Sequence, residues 1–144
     1  MNLLYAGPPP GNAALIPELA YEVVLKASEW LCNAFGFNER LRIGSHRVQL
    51  VFRDGALIVI ERGEEAGGGD AARTHAVLVR VEDADRHHTQ AVSHGAHILQ
   101  PPTDFPYGER QYNAEDVGGH RWTFSQSIAD VDPASWGGEL VVTD

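Results

Sequence analysis

The chain carries a faint internal repeat, and that repeat constrains its fold more than any other feature. Displaced by 59 residues, Ile16–Val24 (IPELAYEVV) falls on His75–Asp83 (HAVLVRVED), and Lys26–Gly36 (KASEWLCNAFG) falls on Asp85–Gly95 (DRHHTQAVSHG). Both stretches read as a strand, a short turn, an amphipathic helix and a glycine. In the first, Ala27, Trp30, Leu31, Ala34 and Phe35 recur at three- and four-residue spacing and make one apolar face. Gly36 then stands where a helix ends on a left-handed residue. In the second, Ala84, Ala91, Val92 and Gly95 follow a weaker version, with Arg86, His87, His88 and Gln90 on the solvent face. Glu82 and Asp83 form an acidic turn suited to capping that helix.

A hairpin follows each helix. Arg47–Phe52 and Leu57–Glu61 flank an Asp54-Gly55 turn, and Glu109–Ala114 and His120–Gln126 flank the glycine turn Glu115–Gly119. A further strand is weakly marked in each half, at Glu39–Ile43 and His97–Leu99. Each half therefore reads β-α-β-β-β. Units of under about 60 residues are marginal alone, so the two must share packing. The expected class is α+β: tandem βαβββ modules, 15–61 and 74–130, in one domain spanning 15–130. A Gly/Glu-rich loop, 62–73, joins the modules. Residues 1–14, which include AGPPPGN, read as a flexible entry. Residues 131–144 read as a tail whose Trp136 docks on its own domain or on a dimer mate.

Composition excludes several classes. Asp and Glu number 20 and Lys and Arg 11 among 144 residues, a net charge of −9 with no basic cluster. That argues against nucleic acid or an anionic membrane surface as partner. No apolar run reaches the roughly 18 residues of a membrane helix. The single cysteine, Cys32, permits no internal disulfide and fits a reducing cytoplasm. Cys32 sits mid-helix without a cationic neighbour and reads as unreactive.

Trp30–Phe37 (WLCNAFGF), Val79–Gly95 (VRVEDADRHHTQAVSHG) and above all Tyr107–Ser125 (YGERQYNAEDVGGHRWTFS) carry a resemblance. They resemble the vicinal oxygen chelate superfamily of glyoxalase I, extradiol dioxygenases and bleomycin-resistance proteins. In that family's closing segment a Tyr-Gly, an Arg and a D-P-x-G-H-x-W turn precede the last strand; here Val117 stands at the proline position. The resemblance covers roughly residues 15–130. It implies curved mixed sheets around a central cleft and a homodimer. It does not imply one chemistry, since this fold hosts both enzymes and binders.

The metal enzymes of the family place ligands on the first and last strands of each module. The 59-residue displacement and the hairpin glycines map those positions to Ile16, Val59, His75 and Thr123. Aliphatic side chains have no lone pair to give a metal, and one histidine does not hold a catalytic ion. A register one residue away brings in Pro17, Glu18, Ile58 or Ile60, of which only Glu18 is a donor. The expectation is therefore no metal and no cofactor, the alternative being a divalent ion at a non-standard site.

Alternation along the strands then nominates cleft residues. A four-residue turn at Asp116–Gly119 sets Tyr112 opposite Thr123. It gathers Arg110, Tyr112, Arg121, Thr123 and Ser125 on one face, with His75, Val77 and Val79 beside them. Arg110 could clamp a carboxylate or phosphate, or pair with Glu109, Glu115 or Asp116. Gln49 and Arg47 reach the cleft in one of the two possible hairpin registers. Trp122 and Phe124 face the helix side. The candidate ligand-binding set is His75, Arg110, Tyr112, Arg121, Thr123 and Gln49. The expected function is a metal-independent, small-molecule-binding cytoplasmic homodimer. The alternatives are a metal-dependent glyoxalase, epimerase or dioxygenase, and a homodimer whose cleft is filled by its own side chains.

Overall fold

The computed structural model describes residues 13–63 and 74–141. Readings that concern 1–12, 64–73 and 142–144 fall outside them. Two βαβββ modules follow one another: β1 (Glu18–Tyr21), α1 (Val24–Phe35), β2 (Asn38–Ile43), β3 (Arg47–Phe52) and β4 (Gly55–Glu61), then β5 (Ala76–Arg80), α2 (Ala84–Ser93), β6 (His97–Phe105), β7 (Glu109–Glu115) and β8 (Arg121–Ser127). Each module makes its own four-stranded mixed sheet, in the orders β1-β4-β3-β2 and β5-β8-β7-β6. The first and last strands of each module pair in parallel and the hairpins antiparallel.

Local chemistry explains the element ends. α1 stops at Gly36, whose φ of 85° is left-handed and whose N–H returns to the Cys32 carbonyl. Asp83 caps α2 by accepting from the Arg86 N–H, as the acidic turn led us to expect. The strand of the second module that is weakly marked runs well past Leu99, through Pro101 and Pro102 to Phe105. Two prolines are tolerated there because β6 is an edge strand and its pairing with β7 is irregular on both sides of Gln100.

The two helices lie antiparallel against each other. Trp30 Nε1 donates to the His94 carbonyl, Gln90 Nε2 to the Asn33 carbonyl, and His87 reaches the Phe35 carbonyl. Phe35, fully buried at the end of α1, packs against Trp122 and Phe124 of the other module. The helix-facing sides of both sheets thus merge in one core that runs from Leu19, Val48 and Val59 to Tyr112 and Trp122. Neither module buries its apolar face alone, which is why the pair folds as a unit. The side of each sheet that carries no helix lies opposite this shared core, and is called its open face below.

Candidate functional site: two open sheet faces

In the first sheet, Val48, Leu50, Leu57 and Val59 face the helices and join the core. Their alternates take the open side: Ala56, Ile58 and Ile60 on β4, Gln49 and Val51 on β3, and Leu41 on β2. The surface is apolar around one amide. Gln49 pairs with Ile58 on one side and Leu41 on the other, and it is only 3% exposed although no helix covers it. The pairing of β2 with β3 skips a residue between Glu39 and Leu41, leaving Arg40 in a bulge. From there Arg40 Nη1 donates to Gln49 Oε1 at 2.6 Å. That bond fixes which end of the amide is oxygen. Among the described residues nothing accepts from Gln49 Nε2.

The open face of the second sheet is polar and internally bonded. The Thr123 hydroxyl donates to Asn113 Oδ1 (2.8 Å), and Asn113 Nδ2 donates to Gln100 Oε1 (3.0 Å). Beside them the Tyr107 hydroxyl donates to Gln111 Oε1, Gln111 Nε2 to Ser125 Oγ, and Ser125 Oγ to Glu109 Oε1 at 2.7 Å. Ala76 and Leu78 of β5, the latter 57% exposed, are apolar members of this face.

Of the six residues nominated from sequence, Gln49 lies on the first open face, and Arg121 and Thr123 lie on the second. The other three are elsewhere. The turn between β7 and β8 holds five residues, 116–120, because the Asp116 carboxylate closes it by accepting from the Gly118 and His120 N–H groups. Thr123 therefore pairs with Asn113, and Tyr112 pairs with Phe124. One extra turn residue moves every β7 side chain to the opposite face. Tyr112 is fully buried on the helix side, its phenol pushed up by that burial, and its hydroxyl meets His87 Nδ1. Arg110 also points to the helix side and bridges Asp85 of α2 (3.0 Å) and Asp104 of β6 (2.8 Å). These are not the acids expected as its partners. His75 precedes β5, and Val77 and Val79 pair with Trp122 and Phe124 on the helix side, so none of the three joins the open face.

His87 also departs from expectation. It is turned inward onto Phe124, 4.1 Å between ring centres, instead of sitting on the solvent face. Burial pulls its pKa below the ordinary value. Its Nε2–H donates to the Phe35 carbonyl, so its Nδ1 accepts from the Tyr112 hydroxyl. Cys32 is half-buried, and burial followed by the charge of Glu39 raises its thiol pKa, opposite to what a nucleophile needs.

The family's metal positions do not fit a divalent ion here. Val59 is buried in the core and His75 lies before its strand. The residues paired on the open sides are Glu18 with Ile58 and Leu78 with Thr123. Glu18 is the one anionic donor among these four, and it is engaged by Arg47 Nη2 at 3.0 Å. No three His, Cys, Asp or Glu among the described residues are grouped to hold an ion. A groove of about 850 Å³ opens beside β5, lined by Phe37, Phe52, Val79 and Trp122, by Arg53 and Arg80, and by Ala56 and Leu78 from the two open faces. It includes neither Gln49 nor Thr123. No helix is long and apolar enough to cross a membrane among the described residues.

Comparison with known proteins agrees with this architecture. The crystal structure of TioX from Micromonospora sp. ML1 is 35% identical over 79% of this chain and 98% of its own, with a TM-score of 0.69. TnmS3, an antibiotic binding protein from Streptomyces sp. CB03234, is 19% identical over 78% of this chain and 93% of its own, with a TM-score of 0.64. A glyoxalase/bleomycin resistance protein from the same Streptomyces strain is 18% identical over 77% and 97%, at 0.62. The last two show the fold alone. No protein of curated function matches the sequence. The profile of the Glyoxalase/Bleomycin resistance protein/Dioxygenase superfamily matches residues 19–124, so the chain belongs to that superfamily.

Proposed function

We propose that this protein is a small-molecule binder that works without a resident metal, as a cytoplasmic homodimer. One observation carries the reading. The two open faces are unlike each other: one apolar around Gln49, the other a polar ladder through Thr123. A binding cleft usually combines apolar walls with a few placed polar groups. A second copy related by a twofold axis sets the first open face of one protomer against the second open face of the other, and does so twice. Each of two clefts then has one apolar and one polar wall. The name of TnmS3 supports an antibiotic-like organic molecule as the class of ligand. The donor set at the family's metal positions supports binding over metal-dependent catalysis.

The test has two arms. Sedimentation of the purified protein should give a dimer at micromolar concentration. A thermal-shift screen of planar organic compounds should raise the melting temperature with some of them, and a chelator should leave those shifts unchanged. A monomer that takes up no compound, or shifts that vanish with chelator, would sink the reading.

A further inference from the structure

We infer that Gln49 is the specificity donor of the cleft, and that the ligand presents to it a hydrogen-bond acceptor, a carbonyl oxygen or ring nitrogen, on a flat apolar body. The inference rests on the binding reading above and names what that site selects. Three observations lead to it. First, the amide cannot turn over freely: Arg40 Nη1 holds Oε1 at 2.6 Å, so Nε2 is the end left without a partner. Second, Nε2 is buried and lacks an acceptor among the described residues, and the residues paired with Gln49 across the sheet, Leu41 and Ile58, have apolar side chains. A buried donor without a partner costs about 1–3 kcal/mol, and native proteins hold few of them. Third, Arg40 reaches the amide only because a bulge takes it out of the β2–β3 pairing. Bulges commonly re-aim a side chain beside a functional site.

The surroundings then define the ligand. Ala56, Val51 and Ile58 share the face of Gln49 and bring no charge, Val51 half-buried and the other two buried; such surroundings suit a planar apolar body. A ligand that lacks an acceptor leaves the Nε2–H unpaired, while one that has it removes an existing penalty. Selection against the acceptor-free analogue therefore exceeds the value of an exposed hydrogen bond.

A matched pair of probes tests this: 9-fluorenone, with a carbonyl, and fluorene, the same tricycle without one. The wild-type dimer should bind fluorenone at least about tenfold more tightly than fluorene. The bound carbonyl stretch should move to lower wavenumber. Gln49→Glu keeps the acceptor for Arg40 and removes the donor; Gln49→Leu removes both with little change in volume. Either folded variant should bring the two affinities together and return the carbonyl stretch to its unbonded position. Equal binding of both probes by the wild type, or a preference that survives in the variants, overturns the role of Gln49 while leaving small-molecule binding intact. A dimer weakened tenfold by Gln49→Glu with an unchanged probe ratio means that the second copy supplies the acceptor, and it too overturns the proposal. Binding of neither probe while other compounds of the thermal-shift screen still bind overturns this inference alone; a protein that binds no compound at all overturns it together with the reading it rests on.

Discussion

Tyr21 and Asp116 stand 95 residues apart and are joined by a buried hydrogen bond that locks the first module to the second. The Asp116 carboxylate also accepts from Trp122 Nε1 at 2.9 Å and from the N–H groups of Gly118 and His120. His120 in turn bonds the Ala20 carbonyl, and Arg62 bonds that of Gly118. The turn that resembles the family's D-P-x-G-H-x-W segment is thus a structural joint. Burial, then the neighbouring carboxylate, holds the Tyr21 phenol protonated well above its usual range.

Two variants measure that joint. Tyr21→Phe removes one of four donors and should lower stability by about 1–3 kcal/mol. Asp116→Ala leaves four donors unpaired and should cost more, or prevent folding. Urea denaturation ranks them; equal losses would mean that Asp116 serves Tyr21 alone.

Two glycines separate backbone strain from crowding. Gly119 and Gly108 share a left-handed φ, 82° and 84°. A Cβ on Gly119 meets nothing within 4 Å, whereas one on Gly108 would lie 2.2 Å from the Ala129 carbonyl oxygen. Gly119→Ala should cost about 1–2 kcal/mol, the price of the conformation. Gly108→Ala should cost clearly more, and thermal denaturation of both variants checks the order.

Acid should weaken the fold through His87. Its folded pKa is lowered by burial, while the unfolded side chain takes a proton below about pH 6.5. The unfolded state then binds more protons, so stability is full above pH 6.5 and falls as pH drops toward the lowered folded value. His87→Leu should show a shallower loss between pH 7 and 5.5 in urea titrations. An unchanged slope would place the acid sensitivity elsewhere.

Arg110 ties α2 to β6 through Asp85 and Asp104 and lies off the open faces. Arg110→Gln should leave ligand-induced melting shifts unchanged. It should lower the melting temperature slightly, by less in high salt, because exposed ion pairs are screened. A lost ligand shift would return Arg110 to the site.

Metal uptake should be negligible. Protein incubated with Ni, Co, Zn, Mn or Fe(II) and desalted should retain well under one ion per chain by elemental analysis. One ion per chain would require donors other than Glu18, Ile58, Leu78 and Thr123.

The βαβββ repeat, the two helices with their caps and the hairpin strands were legible from the residues alone, because their signals are local. Periodicity, an Asp before a helix and glycine where φ is positive each act within a few residues. The helix-side placement of Trp122 and Phe124 followed from the same alternation. What the sequence could not decide was which face each β7 side chain takes. That depends on one residue of turn length, and the length depends on Asp116 closing the turn while it reaches Tyr21 across the module boundary. Arg110 and Tyr112 lie off the open faces for this reason, and His75 because it precedes β5. The inward His87 and the bulge that carries Arg40 to Gln49 likewise needed partners distant in sequence or a skipped pairing. Local chemistry determined the elements. Register and the packing between modules, which depend on side chains meeting from far along the chain, determined which side chains share each face.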